Sequence, residues 1–203
     1  MNRAEALVIA AGPRWTELAL HPFIVATADG TLAEAAFDHW LLDDHAFVVQ
    51  FRRFLAGVLV LAPDEPSRDV LAAGLAALTP EIALFRAELA GRGLDPTRHA
   101  PSTACTGYGG WMLGSLVEGY EVALAVAHGV ERAYLDAWSA VRQRSVGGRY
   151  EAFVENWSSP AFAAWVDALA GLLGEGAPTA AQLSAYRQVA EFEHGFWDAV
   201  SVN

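Results

Sequence analysis

Between Thr31 and Leu61 the apolar residues Phe37, Trp40, Leu41, Val48, Phe51, Leu55 and Val58 recur at three- and four-residue intervals. That spacing puts their side chains on one face of an α-helix and predicts a single amphipathic helix of about eight turns. Asp29-Gly30 supplies a turn, Thr31 a capping side chain, Glu34 an acid in the first turn and Pro63 a stop. A second helical stretch is predicted from Arg68 to Leu94, interrupted at Thr79-Pro80, with a Gly- and Pro-containing connection from Gly91 to Pro101. Helical spacing resumes from Ser102 to Val141, and Gly147-Gly148 ends it. Shorter helices follow around Tyr150 to Trp157, Pro160 to Leu173 and Pro178 to Val200. No stretch alternates polar and β-branched residues as a strand would. The reading is all-α: seven or eight helices with short connections, forming an antiparallel bundle in one domain over residues 1–203.

Composition narrows the function classes. With 203 residues, 54% hydrophobic and 18% charged, the chain has the profile of one soluble domain with a substantial core. A formal charge of -11 opposes attraction to nucleic-acid phosphates or anionic lipid heads, so neither nucleic acid nor membrane is expected as a partner. Every basic residue is arginine, which excludes Schiff-base chemistry through a lysine. One cysteine, Cys105, leaves no disulfide framework and no paired thiols for structural zinc, and is read as a small buried thiol. The apolar start, MNRAEALVIAAGPRW, is too short to span a bilayer and lacks a signal-cleavage pattern, so a reducing cytoplasm is the expected location.

Three acids fall inside the apolar stripes. Asp44 stands three residues after Leu41, four before Val48, and seven from both Phe37 and Phe51. Glu131 follows Leu124 by seven and precedes Trp138 by seven, while Glu193 lies among Tyr186, Val189, Phe196, Trp197 and Val200. An unpaired buried carboxylate must find a partner or take up a proton, so three inward acids point to a shared cavity. The alternatives are that each reaches solvent at the stripe edge, or pairs with an arginine such as Arg52, Arg53, Arg132 or Arg187. Asp43 and Glu191, which neighbour stripe positions, are expected to be solvated. Aromatic residues accompany the acids: Phe47 one turn after Asp44, Phe196 and Trp197 one turn after Glu193, and Tyr108 and Trp157 near helix ends. Rings combined with carboxyls suit a flat, nitrogen-rich heterocycle such as an aminopyrimidine.

These blocks resemble the TenA (thiaminase II-like) family, and the resemblance runs along nearly the whole chain. HPFIVATADGTLAEAAFDHWLLDDHAFVVQF, His21 to Phe51, is similar to the family's HPF…DGTL…F..YL.QD stretch, and EFEHGFW, Glu191 to Trp197, to its YE..FW ending. The resemblance implies a haem oxygenase-like helical bundle in which Asp44 binds the aminopyrimidine ring and Glu193 transfers protons. It gives Phe47, Tyr108, Tyr134, Trp157 and Phe196 the task of shaping the pocket, and implies a homodimer or homotetramer. Where the better-known branch carries a nucleophilic cysteine, this chain has Glu131 within GVERAYLDAW, Gly129 to Trp138, as in the branch called TenA-E. Phe47 and Trp157 stand where that family commonly has tyrosine.

A carboxylate in the thiolate's place favours direct attack by water, with one of Glu131 and Glu193 as general base and the other protonating the departing amine. The implied reaction is hydrolysis of an aminomethyl- or N-formylaminomethyl-pyrimidine in thiamin salvage, with no cofactor. Two other classes use the same residues. One is a dinuclear-metal oxidase using His128-x-x-Glu131 with Asp44, His45, Glu193 and His194, an incomplete ligand set on which no metal is assigned. The other is a non-catalytic, regulatory pyrimidine-binding protein.

Overall fold

A computed structural model of the chain describes residues 2–144, 148 and 150–201. Short helices open it: α1 (Arg3–Ala11), α2 (Pro13–Thr16) and α3 (Pro22–Ala28). The long α4 (Glu34–Leu61) and α5 (Glu65–Gly91) follow, then α6 (Thr103–Gly114) and α7 (Tyr120–Arg144). The chain closes with α8 (Glu151–Ser158), α9 (Pro160–Leu173) and α10 (Ala180–Ser201). Eight of these helices have eight or more residues, and among the described residues the sole β pairing is an isolated bridge between Asn2 and Glu175.

Helix α4 is the spine. The connection after it is short, so α5 folds back along it, and α6 and α10 cover other sides. Helix α7 packs against α8, α9, α10 and α3. All seven apolar residues that define the predicted stripe, from Phe37 to Val58, are buried. Among the described residues α5 alone is long and apolar enough to cross a membrane. Its large side chains Leu71, Leu78, Ile82, Phe85 and Leu89 nevertheless pack inward, and alanines populate its outer face.

Four boundaries differ from expectation. Thr31 does not cap α4, which starts after Ala33 with no side-chain cap. Instead the Thr31 and Leu32 amides donate to the Ala26 carbonyl and fasten the turn to α3. Pro80 does not interrupt α5. A proline removes one helical hydrogen bond, and burial of Leu78, Ile82 and Phe85 on either side holds the helix through it. The stretch from Ser102 to Val141 is two helices, because a 3-10 segment, Ser115–Glu118, and Gly119 at φ 93° turn the chain before α7. The short N-terminal helices have a proline start that periodicity over so few residues misses: Pro13 begins α2, Pro22 begins α3, and the His21 ring caps the latter by accepting from the Phe23 amide. Of the predicted Gly147-Gly148 stop, Gly147 lies outside the described residues.

The tryptophans fill the interior. Trp15, Trp40, Trp138, Trp157 and Trp197 are buried and Trp111 and Trp165 half-buried. Trp165 of α9 lies against α5 where Gly74 leaves room: a Cβ there would fall 2.2 Å from the indole Cη2. Replacing a helical glycine by alanine usually stabilises by about 0.5–1 kcal/mol. Gly74→Ala is predicted to reverse that sign and lower stability by about 1–3 kcal/mol through overpacking, read from the urea unfolding midpoint; a gain in stability would contradict the close approach.

Candidate active site

The three acids converge inside the bundle. Asp44 and Glu193 have no exposed surface, and Glu131 is 7% exposed. Each accepts one short hydrogen bond from an aromatic side chain. Tyr134 Oη donates to Asp44 Oδ1 at 2.6 Å, Tyr108 Oη to Glu193 Oε1 at 2.7 Å, and Trp165 Nε1 to Glu131 Oε1 at 2.7 Å. Asp44 Oδ2 and Glu193 Oε2 are buried without a protein partner. None of the arginines considered as partners compensates the acids: Arg132 pairs with Asp136, and Arg187 donates to the Ala10 carbonyl.

Burial without a cation dictates the protonation. Desolvation pushes Glu193 up to about 8, against the opposing hydrogen bond from Tyr108. Desolvation likewise pushes Glu131 up to about 8, with a further push from the charges of Glu81 and Glu193. Asp44 is raised well above the usual carboxyl range by burial, although Tyr134 donates to it, and Glu81, Glu193 and Asp43 add to the rise. Tyr108 and Tyr134 are held protonated by burial and by the adjacent acids, so both remain donors.

The rings named from the sequence surround these carboxyls in two groups. Phe47 lies 4.7 Å from Tyr108 and 5.8 Å from Phe196 between ring centres, on the Glu193 side. Trp157 lies 5.2 Å from Tyr134 on the Asp44 side. Three contributors, Phe192, Glu81 and Trp165, were not anticipated. Phe192 stacks on Tyr108 at 4.9 Å with planes 5° apart, fixing the phenol that serves Glu193. Glu81 of α5 accepts from Asn156 Nδ2 at 3.0 Å and is raised by burial to about 7, against hydrogen bonds from Asn156 and Trp157. Glu81, half-buried, stands three residues after Leu78 and four before Phe85, at the edge of a buried stripe. Treating Pro80 as a helix break conceals that register. Trp165, which holds Glu131, gave no sequence signal beyond its place in a mixed apolar helix.

The histidines considered as metal ligands do not turn toward the acids. His128 Nδ1 is 3.0 Å from Tyr186 Oη, and burial holds the ring down to about 3. His194 Nε2 meets the Arg14 carbonyl at 2.9 Å, and His45 lies 6.2 Å from the Phe85 ring. Cys105 is buried, its Sγ 3.3 Å from the Asp43 carbonyl, and desolvation raises its pKa far above the ordinary thiol value. It is a poor nucleophile. Glu191 is exposed beside Arg14, as expected, but Asp43 is not solvated. Helix α4 is covered on more than one side, so two adjacent acids can both be buried; Asp43 meets His99 and the Ser102 amide of the α5–α6 connection.

The fold and sequence relate the chain to known proteins. A probable bifunctional TENA-E protein of Glycine max is 32% identical over 126 residues, which are 59% of this chain and 55% of that protein, so the match spans little more than half of that relative's length. A TenA homologue of Pyrococcus furiosus superposes with a TM-score of 0.90 at 23% identity, covering 97% of this chain and 98% of the other. A Shewanella denitrificans domain of unknown function, described as having a haem oxygenase-like fold, superposes at 0.69 with 14% identity over 94% of this chain and 88% of its own. The bundle therefore has the haem oxygenase-like fold. Matched over residues 9–203, the chain belongs to the TENA/THI-4/PQQC family.

Proposed function

We propose that this protein hydrolyses a thiamin-derived aminopyrimidine, with Glu131 and Glu193 dividing the proton transfers and Asp44 holding the ring. The observation that carries the reading is the pair of buried oxygens, Asp44 Oδ2 and Glu193 Oε2, that no protein group satisfies. Such groups are costly unless they serve a ligand. A flat heterocycle offers amino or ring N–H donors to Asp44 Oδ2 and an exocyclic nitrogen that accepts from protonated Glu193, and the rings of Phe47, Phe196 and Trp157 offer stacking surfaces. Family membership and the plant relative described as TENA-E support a thiamin-related hydrolase.

Glu131, the most exposed of the three acids, is assigned to water, and the fully buried Glu193 to the leaving group. With an aminomethylpyrimidine, ionised Glu131 takes a proton from water as its oxygen bonds to the exocyclic carbon. The carbon–nitrogen bond breaks and protonated Glu193 delivers its proton to the nitrogen, giving the hydroxymethylpyrimidine and ammonia. With an N-formyl substrate the same water adds to the formyl carbon, and the amine and formate leave. Both routes consume one water and need no oxidant or cofactor. Tyr108 and Trp165 position the two carboxyls through the hydrogen bonds they donate.

The chemistry needs one acid ionised and the other protonated, so kcat/KM is predicted to follow a bell centred near pH 8. Glu131→Gln and Glu193→Gln should each lower kcat by about 100-fold or more, measured as ammonia or formate release. Tight aminopyrimidine binding with no turnover by the wild type would instead identify a binding protein.

The same protonation has a stability signature. Each raised acid binds its proton more tightly folded than unfolded, so its contribution is full below the ordinary carboxyl range and is lost as pH rises toward about 8. Urea unfolding between pH 5 and 8, in steps of about one unit, is predicted to show stability falling with pH by roughly 1 kcal/mol per unit for each such acid. Glu131→Gln should flatten that slope; an unchanged slope would contradict the assignment.

A further inference from the structure

Asp43 lies outside the proposed hydrolytic chemistry, yet it is a fully buried carboxylate facing two histidines. His39 stands one helical turn before it on α4, and His99 comes from the connection that follows α5. One nitrogen of each histidine and one carboxylate oxygen of Asp43 all lie within 4.8 Å of one another. His99 Nε2 is 2.6 Å from Asp43 Oδ1, and His39 Nε2 is 4.0 Å from Asp43 Oδ2.

We propose that His39, Asp43 and His99 bind one divalent first-row transition ion of the zinc type, clasping the α5–α6 connection to α4 immediately before Asp44. Two imidazoles and one carboxylate are the donor set such ions favour and the oxygen-seeking magnesium and calcium do not. In a tetrahedral site with ligands about 2.0–2.1 Å from the metal, donors sit about 3.3 Å apart. His99 Nε2 lies 2.6 Å from Oδ1, inside that figure, and His39 Nε2 lies 4.0 Å from the other oxygen, Oδ2, with one donor of each residue within 4.8 Å of the others. Small rotations of the two histidines, whose side chains are 29% and 17% exposed, bring all three donors into place while Asp43 stays fixed. Its carboxylate is oriented by the Ser102 amide at 3.2 and 3.3 Å from its two oxygens, the outer support metal ligands commonly have. Binding replaces the hydrogen bond between His99 Nε2 and Asp43 Oδ1. The fourth position remains for water. Ser102 caps α6 through the Cys105 amide, and α6 carries Tyr108, so the ion ties the start of that helix to α4.

The test is zinc titration of metal-stripped protein by calorimetry, with Co2+ as a spectroscopic stand-in. One saturable site per chain is expected, with a tetrahedral cobalt spectrum and a higher thermal midpoint when zinc is present. His39→Gln and His99→Gln replace partly exposed side chains outside the hydrolytic site, and each should weaken zinc at least tenfold and abolish the thermal gain. Absence of saturable uptake by the wild type, or uptake undiminished in both variants, overturns the proposal. Because the readouts are binding and stability, they stand or fall independently of the hydrolase assignment.

Discussion

Everything distinctive about this bundle follows from burying carboxyls without cations. Among the described residues no ion pair reaches Asp44, Glu81, Glu131 or Glu193; the arginines that form ion pairs do so with other acids, as Arg92 does with Glu34, Asp38 and Glu88. Desolvated acids with only neutral donors hold protons at neutral pH. Protonation keeps the interior tolerable for folding, and it also stocks the site with acids poised near the pH at which they would work. Stability and reactivity thus pull on the same groups, and the neutral donors Tyr108, Tyr134 and Trp165 fix where each carboxyl points.

That constraint explains the weight placed on aromatic packing. A tyrosine that donates to one carboxyl must be immobile to be useful, and stacking of Phe192 on Tyr108 with contact from Phe47 supplies that rigidity. Trp165 depends on a glycine in another helix, so the position of Glu131 is set by the approach of α9 to α5. Helix α4 carries two environments on neighbouring residues: Asp44 looks toward the rings of α7 and Asp43 toward the α5–α6 connection.

Much of this was legible in the sequence, for a physical reason. An acid interrupting a strong apolar stripe has few places to go, so Asp44, Glu131 and Glu193 were recoverable from helical spacing alone. Periodicity failed where it assumes one covered face per helix or a helix that stops at proline. Asp43 is buried because α4 is covered on several sides, and Glu81 was hidden by the expectation that Pro80 ends a helix which in fact continues. Short helices that start at proline, and the 3-10 turn before Gly119, depend on contacts with other elements and leave too few turns to read.

The central claim is that Glu131 and Glu193 remain protonated near neutrality inside the folded protein. Carboxyl-carbon NMR of protein labelled at glutamate, titrated across the range from acid to mildly alkaline, reads this directly. Two carboxyl resonances should keep the protonated shift at neutral pH and titrate near pH 8, one disappearing with each of the two glutamine substitutions. Titration of both groups in the ordinary glutamate range would contradict the account.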